Sequence, residues 1–222
     1  MRYKLGILGG MGPLATCALY EKIIKNTDAS CDQEHLEMCI LNNCMIPDRT
    51  KAIFDNGENP VDKLNEGIQK LIEIGCEYFI IPCNTAHYFA KDFILDNKIK
   101  FINMIDETLK YLKDNYPYNS ICVLATTGTV NTKLYSQDKD LKVYYPCEMV
   151  QQEVMKIIYQ TKSGKNMEKE LNNIVNNNKY DIYLLACTEL SIYKYNLKGN
   201  VIDALDILAI SAIKKCGKAI KK

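Results

Sequence analysis

Two stretches, LGILGGMG at 5–12 and ICVLATTG at 121–128, decide the fold: each is an apolar run that breaks into a glycine-containing turn. A second pair comes in the same order, FIIPCNTA at 79–86 and YLLACTEL at 183–190. Each of these is an apolar strand that closes on a cysteine and a polar turn. A repeat of this kind implies a duplicated architecture, two similar lobes facing one another.

Around these anchors the pattern alternates strand and helix. Pro13 opens a helix at a favoured first-turn position, with Ala15, Ala18, Leu19 and Ile23 at helical spacing. Residues 36–41 read as a strand. Asn59 and Pro60 read as an N-cap and first-turn proline ahead of the stripe Val61, Leu64, Ile68, Leu71 and Ile72, and Gly75 closes that helix. Strands come next at 77–82 and 99–102, then a helix near 107–115. The second half reads as strands at 120–125, 141–145 and 181–186. Its helices are marked by Val150, Val154, Ile157 and Ile158, then by Leu171, Ile174 and Val175, and a last helix covers 204–219. Alternating βα units imply parallel sheets covered by helices. The expected fold class is therefore α/β, with two pseudo-symmetric lobes, parallel sheets flanked by helices, and the site in the interlobe cleft. The expected lobes are 1–102 and 103–202, with 203–222 packing back on the first. Ligands of open α/β sheets bind beyond the carboxyl ends of the strands, which is where all four anchor turns lie.

Composition narrows the function. Apolar residues make up 47% of the chain, enough for a full core, and the net charge of +1 gives no reason to expect nucleic acid or an anionic membrane as partner. The apolar run after Arg2 and Lys4 is broken at once by Gly9, Gly10 and Gly12, so neither an export signal nor a membrane span is expected, and a cytoplasmic location is. The basic tail, Lys214, Lys215, Lys218, Lys221 and Lys222, reads as a frayed, solvated terminus. Ten cysteines are scattered through strands and helices with no CxxC pair, and only His35 and His87 could join them, so no metal site is expected.

Cys83 and Cys187 differ from the other eight. Both sit where a strand gives way to a polar turn that starts a helix, a setting of backbone N–H groups and positive helix dipole that favours a thiolate. Equivalent positions in facing lobes approach a shared ligand from opposite sides. One thiolate could then take a proton from one face of a carbon while the other thiol returns a proton to the opposite face. Ordinary strand-end thiols and a redox disulfide remain alternative readings of these residues.

The chain resembles the aspartate/glutamate racemase family, and its aspartate branch in particular. The resemblance rests on GILGGMGPLAT at 6–16, IPDRT at 46–50, IPCNTAH at 81–87, INMIDET at 102–108, LATTGT at 124–129 and ACTEL at 186–190, in order along nearly the whole chain. It implies a fold of two pseudo-symmetric α/β lobes, a homodimer, and chemistry without PLP, metal or any other cofactor. By resemblance Cys83 and Cys187 are the acid/base pair. Asn84, Thr85 and Thr188 hold the amino and α-carboxylate groups, the turn Thr126, Thr127 and Thr129 adds donors, and Met11 borders the pocket. Arg49, one of two arginines in the chain, can grip a second carboxylate with two parallel hydrogen bonds. In the aspartate branch a lysine in a Lys-x-Gly turn joins it. Lys162 matches that lysine, and Lys165 is a weaker candidate. Departures from the family pattern are Ala186 for glycine, Cys44 where proline is common, and the glycine-free VNTKLY at 130–135.

The implied activity is interconversion of L- and D-aspartate, with a broader range including glutamate as the alternative and a non-catalytic small-anion receptor as the rival. A cell-wall glutamate racemase would open with Asp-Ser-Gly and carry Thr-His after the second cysteine, whereas Glu189 comes after Thr188 here. Gly10 to Ala15 formally fits a dinucleotide fingerprint, but Pro13 removes a needed N–H and no acidic residue closes the second strand. His87 reads as a helix-start residue bonded to a neighbour rather than a helper base.

Overall fold

The computed structural model describes residues 3–177 and 179–221; Arg2 and Lys222 lie outside them. Strands β1 (Leu5–Gly9), β2 (Met38–Asn42), β3 (Tyr78–Ile80) and β4 (Lys100–Phe101) form one parallel sheet in the order β2-β1-β3-β4. Strands β5 (Ser120–Leu124), β6 (Lys142–Tyr144), β7 (Ile182–Leu185) and β8 (Val201–Asp203) form a second parallel sheet, β6-β5-β7-β8. The two orders are equivalent, as the repeated motifs require. Helices are α1 (Pro13–Asn26), α2 (Arg49–Phe54), α3 (Val61–Ile74), α4 (Met104–Asn115), α5 (Thr127–Asn131), α6 (Glu148–Lys162), α7 (Glu168–Val175) and α8 (Ala204–Lys215).

Period-two burial explains the layering. Leu5 and Ile7 of β1, Ile80 of β3, Ile121 and Val123 of β5 and Ile182 and Leu184 of β7 all enter one shared apolar core. The alternate residues face outward into two separate cores. Leu8, Phe79 and Ile81 meet Leu64, Ile68 and Leu71 of α3. Cys122, Leu124, Tyr183 and Leu185 meet Val154, Ile157 and Ile158 of α6. Each fully buried aliphatic side chain in these layers contributes about 1.5–3 kcal/mol. The shared core is completed by α8, whose Leu205, Leu208, Ala209, Ala212 and Ile213 are buried, and which packs against both α1 and α4.

Helix ends obey their sequence signals. Asp48 caps α2 by accepting from Thr50 and Lys51 N–H, Asn103 caps α4, and Asp203 caps α8. Gly75 ends α3 in the left-handed region at φ 89°. The Asn59–Pro60 start lies one residue later than expected: Val61 opens the helix and donates its N–H to Asn59 Oδ1 at 3.0 Å. The basic tail is tied down rather than frayed through Lys221. Ile220 bridges antiparallel to Thr27, Lys221 N–H donates to Asn26 O at 2.9 Å, and Lys218 Nζ donates to Glu34 O at 2.5 Å. Lys22 of α1 is buried against Asp203 at 3.3 Å and also binds Asp206, joining α1 to the start of α8. Among the described residues no helix is long and apolar enough to cross a membrane.

His87 links two of these pieces. Its Nε2 accepts from Met104 N–H at 3.1 Å, so Nδ1 carries the ring proton and donates it to Cys83 O at 2.9 Å. Burial pulls its pKa down to about 4, against the pull of the carbonyl. The unfolded chain takes up this proton near pH 6.5 and the folded chain only near 4, so stability is lost as pH falls between the two. Urea unfolding at pH 7 and pH 4.5 should show the wild type losing about 2–3 kcal/mol more than His87→Gln over that interval. Equal losses in the two proteins would remove His87 as the source.

Candidate active site

In each sheet the chain leaves the first strand on one side and the third on the other, so a crevice opens at their carboxyl ends. In the first sheet it lies between the turn after β1 and the Cys83 loop after β3. In the second it lies between the Ala125–Thr126 turn after β5 and the Cys187 loop after β7. The first turn needs glycine: Gly10 has φ 94°, and a Cβ there would collide with the Asn43 backbone. The two crevices face each other across a seam where α5 meets α2 and the Cys83 loop. Gly128 sits in that seam, and a Cβ on it would lie 2.7 Å from Thr85 Cγ2 and 2.8 Å from Thr50 Oγ1.

All four turns converge on one tight cavity of about 30 Å³. Its walls include Met11, Arg49, Cys83, Asn84, Thr85, Thr126, Lys162, Cys187 and Thr188, so nine of the twelve candidate site residues singled out in the sequence are brought together. Thr127 and Thr129 are not on its wall. The N–H of Thr127 points to Met155 Sδ at 3.2 Å. Thr129 is fully buried, and its hydroxyl braces those of Thr85 at 3.0 Å and Thr126 at 3.3 Å. Lys165 also lies off the wall and contributes its backbone carbonyl to Tyr193 OH at 3.1 Å.

Donors are presented to the cavity with unequal freedom. Asn84 Oδ1 is taken by Tyr135 OH at 2.5 Å, which leaves its buried Nδ2 with no partner among the described residues. Arg49 is half-buried and spends its terminal nitrogens on carbonyls: Nη1 on Ile46 and Pro47, and Nη2 on Met11 at 3.3 Å. Its buried Nε likewise has no partner among the described residues. An orphaned buried N–H costs about 1–3 kcal/mol, so both are groups that a bound carboxylate would satisfy.

The two thiols differ. Cys83 is the cap of a 3₁₀ segment, Asn84–Asp92, and its carbonyl is held by His87. Cys187 is succeeded by Thr188 and Glu189 before a 3₁₀ segment starts at Leu190. Its Sγ donates to Glu189 Oε2 at 3.0 Å. Burial, reinforced by the Glu189 carboxylate, pushes the Cys187 thiol well above its ordinary pKa, with Lys162 pulling the other way. The expected thiolate-favouring setting is therefore not found at Cys187. Like Cys83, it leads into a 3₁₀ segment rather than an α-helix, and the Glu189 N–H that favours its thiolate is outweighed by burial and the Glu189 carboxylate.

Lys162 ends α6 with 35% of its side chain exposed, and its Nζ lies 3.6 Å from Glu189 Oε1. Burial works against its charge, but Glu189 and the two thiols outweigh that and raise its pKa. Glu189 is the principal residue that sequence reasoning missed, although it stands inside ACTEL. Tyr135, fully buried and hydrogen-bonded to Asn84, was also missed, and no local signal marks it. Met155, Ile158 and Tyr159 supply the apolar wall from α6.

Comparison with known proteins agrees with this fold. The chain is similar to the Picrophilus torridus aspartate racemase, at 37% identity, with 99% of this chain and 96% of that one covered and a TM-score of 0.89. It is similar in fold to an aspartate racemase homologue from Pyrococcus horikoshii OT3, at 21% identity, 96% and 99% coverage and a TM-score of 0.72. It is 26% identical to the broad specificity amino-acid racemase RacX of Bacillus subtilis (strain 168), over 94% of this chain and 96% of that one. The model of the Asp/Glu/Hydantoin racemase family matches residues 8–212, and with all four converging turns inside that span, the chain belongs to this family of isomerases.

Proposed function

We propose that this protein is an amino-acid racemase that interconverts L- and D-aspartate by a two-base proton transfer between Cys83 and Cys187. The observation that carries the reading is the arrival of both thiols, from equivalent strand ends, on the wall of one cavity that also holds Arg49 and Lys162. The thiolate of one cysteine takes the α-proton, forming an S–H bond as the Cα–H bond breaks. The electron pair is left on Cα and the α-carboxylate. The thiol of the other cysteine then gives its proton to the opposite face, so each turnover exchanges the roles of the two sulfurs.

The α-proton is weakly acidic, so the developing charge needs fixed donors in a dry site. Asn84 Nδ2 and the hydroxyls of Thr85, Thr126 and Thr188 are the groups at hand. Arg49 and Lys162 would take the second carboxylate of aspartate, and Met11 would close the pocket rim. The reading carries with it a cytoplasmic homodimer working on a small amino-acid substrate without PLP or metal. A broader range that includes glutamate is the second reading, favoured by the likeness to a broad specificity racemase.

Incubation with L-aspartate in D₂O, without added PLP or metal, should take optical rotation to zero while deuterium enters Cα in the product. Exchange with glutamate at a comparable rate would support the broader range. No exchange with any amino acid would overturn racemisation. Cys83→Ala and Cys187→Ala should each cut racemisation by about 10³-fold or more with the circular dichroism spectrum retained, and full activity in either variant would end the two-base mechanism. Arg49→Lys keeps a charge but loses the planar fork. Its KM for aspartate should rise about tenfold to a hundredfold, the worth of a charge-assisted hydrogen bond. An unchanged KM would remove Arg49 from the substrate site.

A further inference from the structure

The cavity is symmetric in its two sulfurs but not in the groups that surround them. Glu189 Oε2 lies 3.0 Å from Cys187 Sγ and 3.4 Å from Thr188 Oγ1. A carboxylate only accepts hydrogen bonds, so this contact exists as a bond only while Cys187 carries its proton. Loss of that proton would set two negative groups 3.0 Å apart on side chains that are 6% and 5% exposed. Among the described residues Cys83 makes no such bond to a carboxylate; Asn84 and Thr85 come directly after it in the wall, and Lys162 interacts with its charge as well as with that of Cys187.

The geometry points to Glu189 as a positioning residue that keeps the shared proton on Cys187 in the substrate-free protein, leaving Cys83 as the base that starts the first turnover. This inference rests on the reading of the two cysteines as an acid/base pair. In that first turnover the Cα–H bond breaks as Cys83 gains S–H, and the Cys187 S–H bond breaks as the new Cα–H bond forms on the opposite face. The turnover ends with a thiol at Cys83 and a thiolate at Cys187 facing the Glu189 carboxylate; that repulsion favours loss of the Cys83 proton and its return to Cys187, which restores the starting form.

Other charged and titratable groups face this pair. Lys162 of α6 lies 3.6 Å from Glu189 Oε1 and favours a thiolate at Cys187. Arg49 lies across the cavity, Asp48 beside it and Tyr159 on α6. Lys162 opposes Glu189, so the two residues give opposite tests.

The experiment labels the protein with [3-¹³C]cysteine and tracks the Cβ resonance of Cys187, assigned by its absence in Cys187→Ala, from pH 5 to pH 11. In the wild type this resonance should hold the thiol position at neutral pH. In Glu189→Gln its midpoint should move down by about one pH unit or more, which is about a tenfold gain in thiolate at a fixed pH below the midpoint. Glu189→Asp should restore most of the wild-type behaviour, and Lys162→Met should move the midpoint up. A thiolate position for Cys187 in the wild type at pH 7, or no shift in Glu189→Gln together with none in Lys162→Met, would overturn the inference. The readout needs no turnover, so a protein that titrates as expected but exchanges no α-proton would sink the proposed function and leave the role of Glu189 standing.

Discussion

The apolar layer between the two sheets fixes everything else. Leu5, Ile7 and Ile80 press into it from one sheet, and Ile121, Val123, Ile182 and Leu184 from the other. Because strand side chains alternate, this layer sets the register in which β1, β3, β5 and β7 end, and so where the four turns emerge. The hydrogen bonds that cross from one half to the other then set the finer geometry. Thr85 to Thr126 at 2.8 Å, Tyr135 to Asn84 at 2.5 Å and Thr188 to Pro82 O at 3.4 Å are all of this kind.

On that frame the site sets charges against each other in a small volume. Two cations, Arg49 and Lys162, stand with Glu189 and two thiols around a cavity of about 30 Å³. Among the described residues Arg49 is held by backbone carbonyls and has no ion-pair partner, whereas Lys162 already has a carboxylate neighbour. A substrate with a second carboxylate would meet one cation held only by neutral carbonyls among the described residues and another that it must share with Glu189. The two halves of the protein share one strand order. Their chemical inequality comes from the residues next to each cysteine: Asn84 after one, Thr188 and Glu189 after the other.

Much of this is legible in the sequence because it is local. The duplicated strand-turn anchors predict two parallel sheets, and the sheets have that form with matching strand orders. Cys83, Asn84, Cys187 and Thr188 lie within a few residues of strand ends, so topology alone sends them to one place. Arg49 and Lys162 stand out through motifs rather than periodicity. Contacts between remote segments are not legible. Tyr135 meets Asn84 from 51 positions away, and nothing near Tyr135 marks it. A helix dipole is the reason to expect a thiolate at Cys187. The chain instead turns through Thr188 and Glu189 into a 3₁₀ segment, and burial together with the Glu189 carboxylate outweighs the one backbone N–H, that of Glu189, that favours the thiolate. The tail reads as frayed because a run of lysines is usually solvated, yet Ile220 pairs with Thr27 and anchors it.

The position of α8 bears on how the chain reaches this state. Its apolar side chains cover α1 and α4 and complete the layer against which the first sheet rests. On a ribosome, β1 and α1 emerge long before α8 does, so the inner face of the first sheet stays uncovered while the second half is being made. The first half then holds a wetted, adhesive surface during synthesis and cannot settle as an independent unit. Closure of the molecule is thus a late event that draws both ends of the matched span together, and a chain stalled before α8 would be left with its stickiest face open to chaperones or to other unfinished chains.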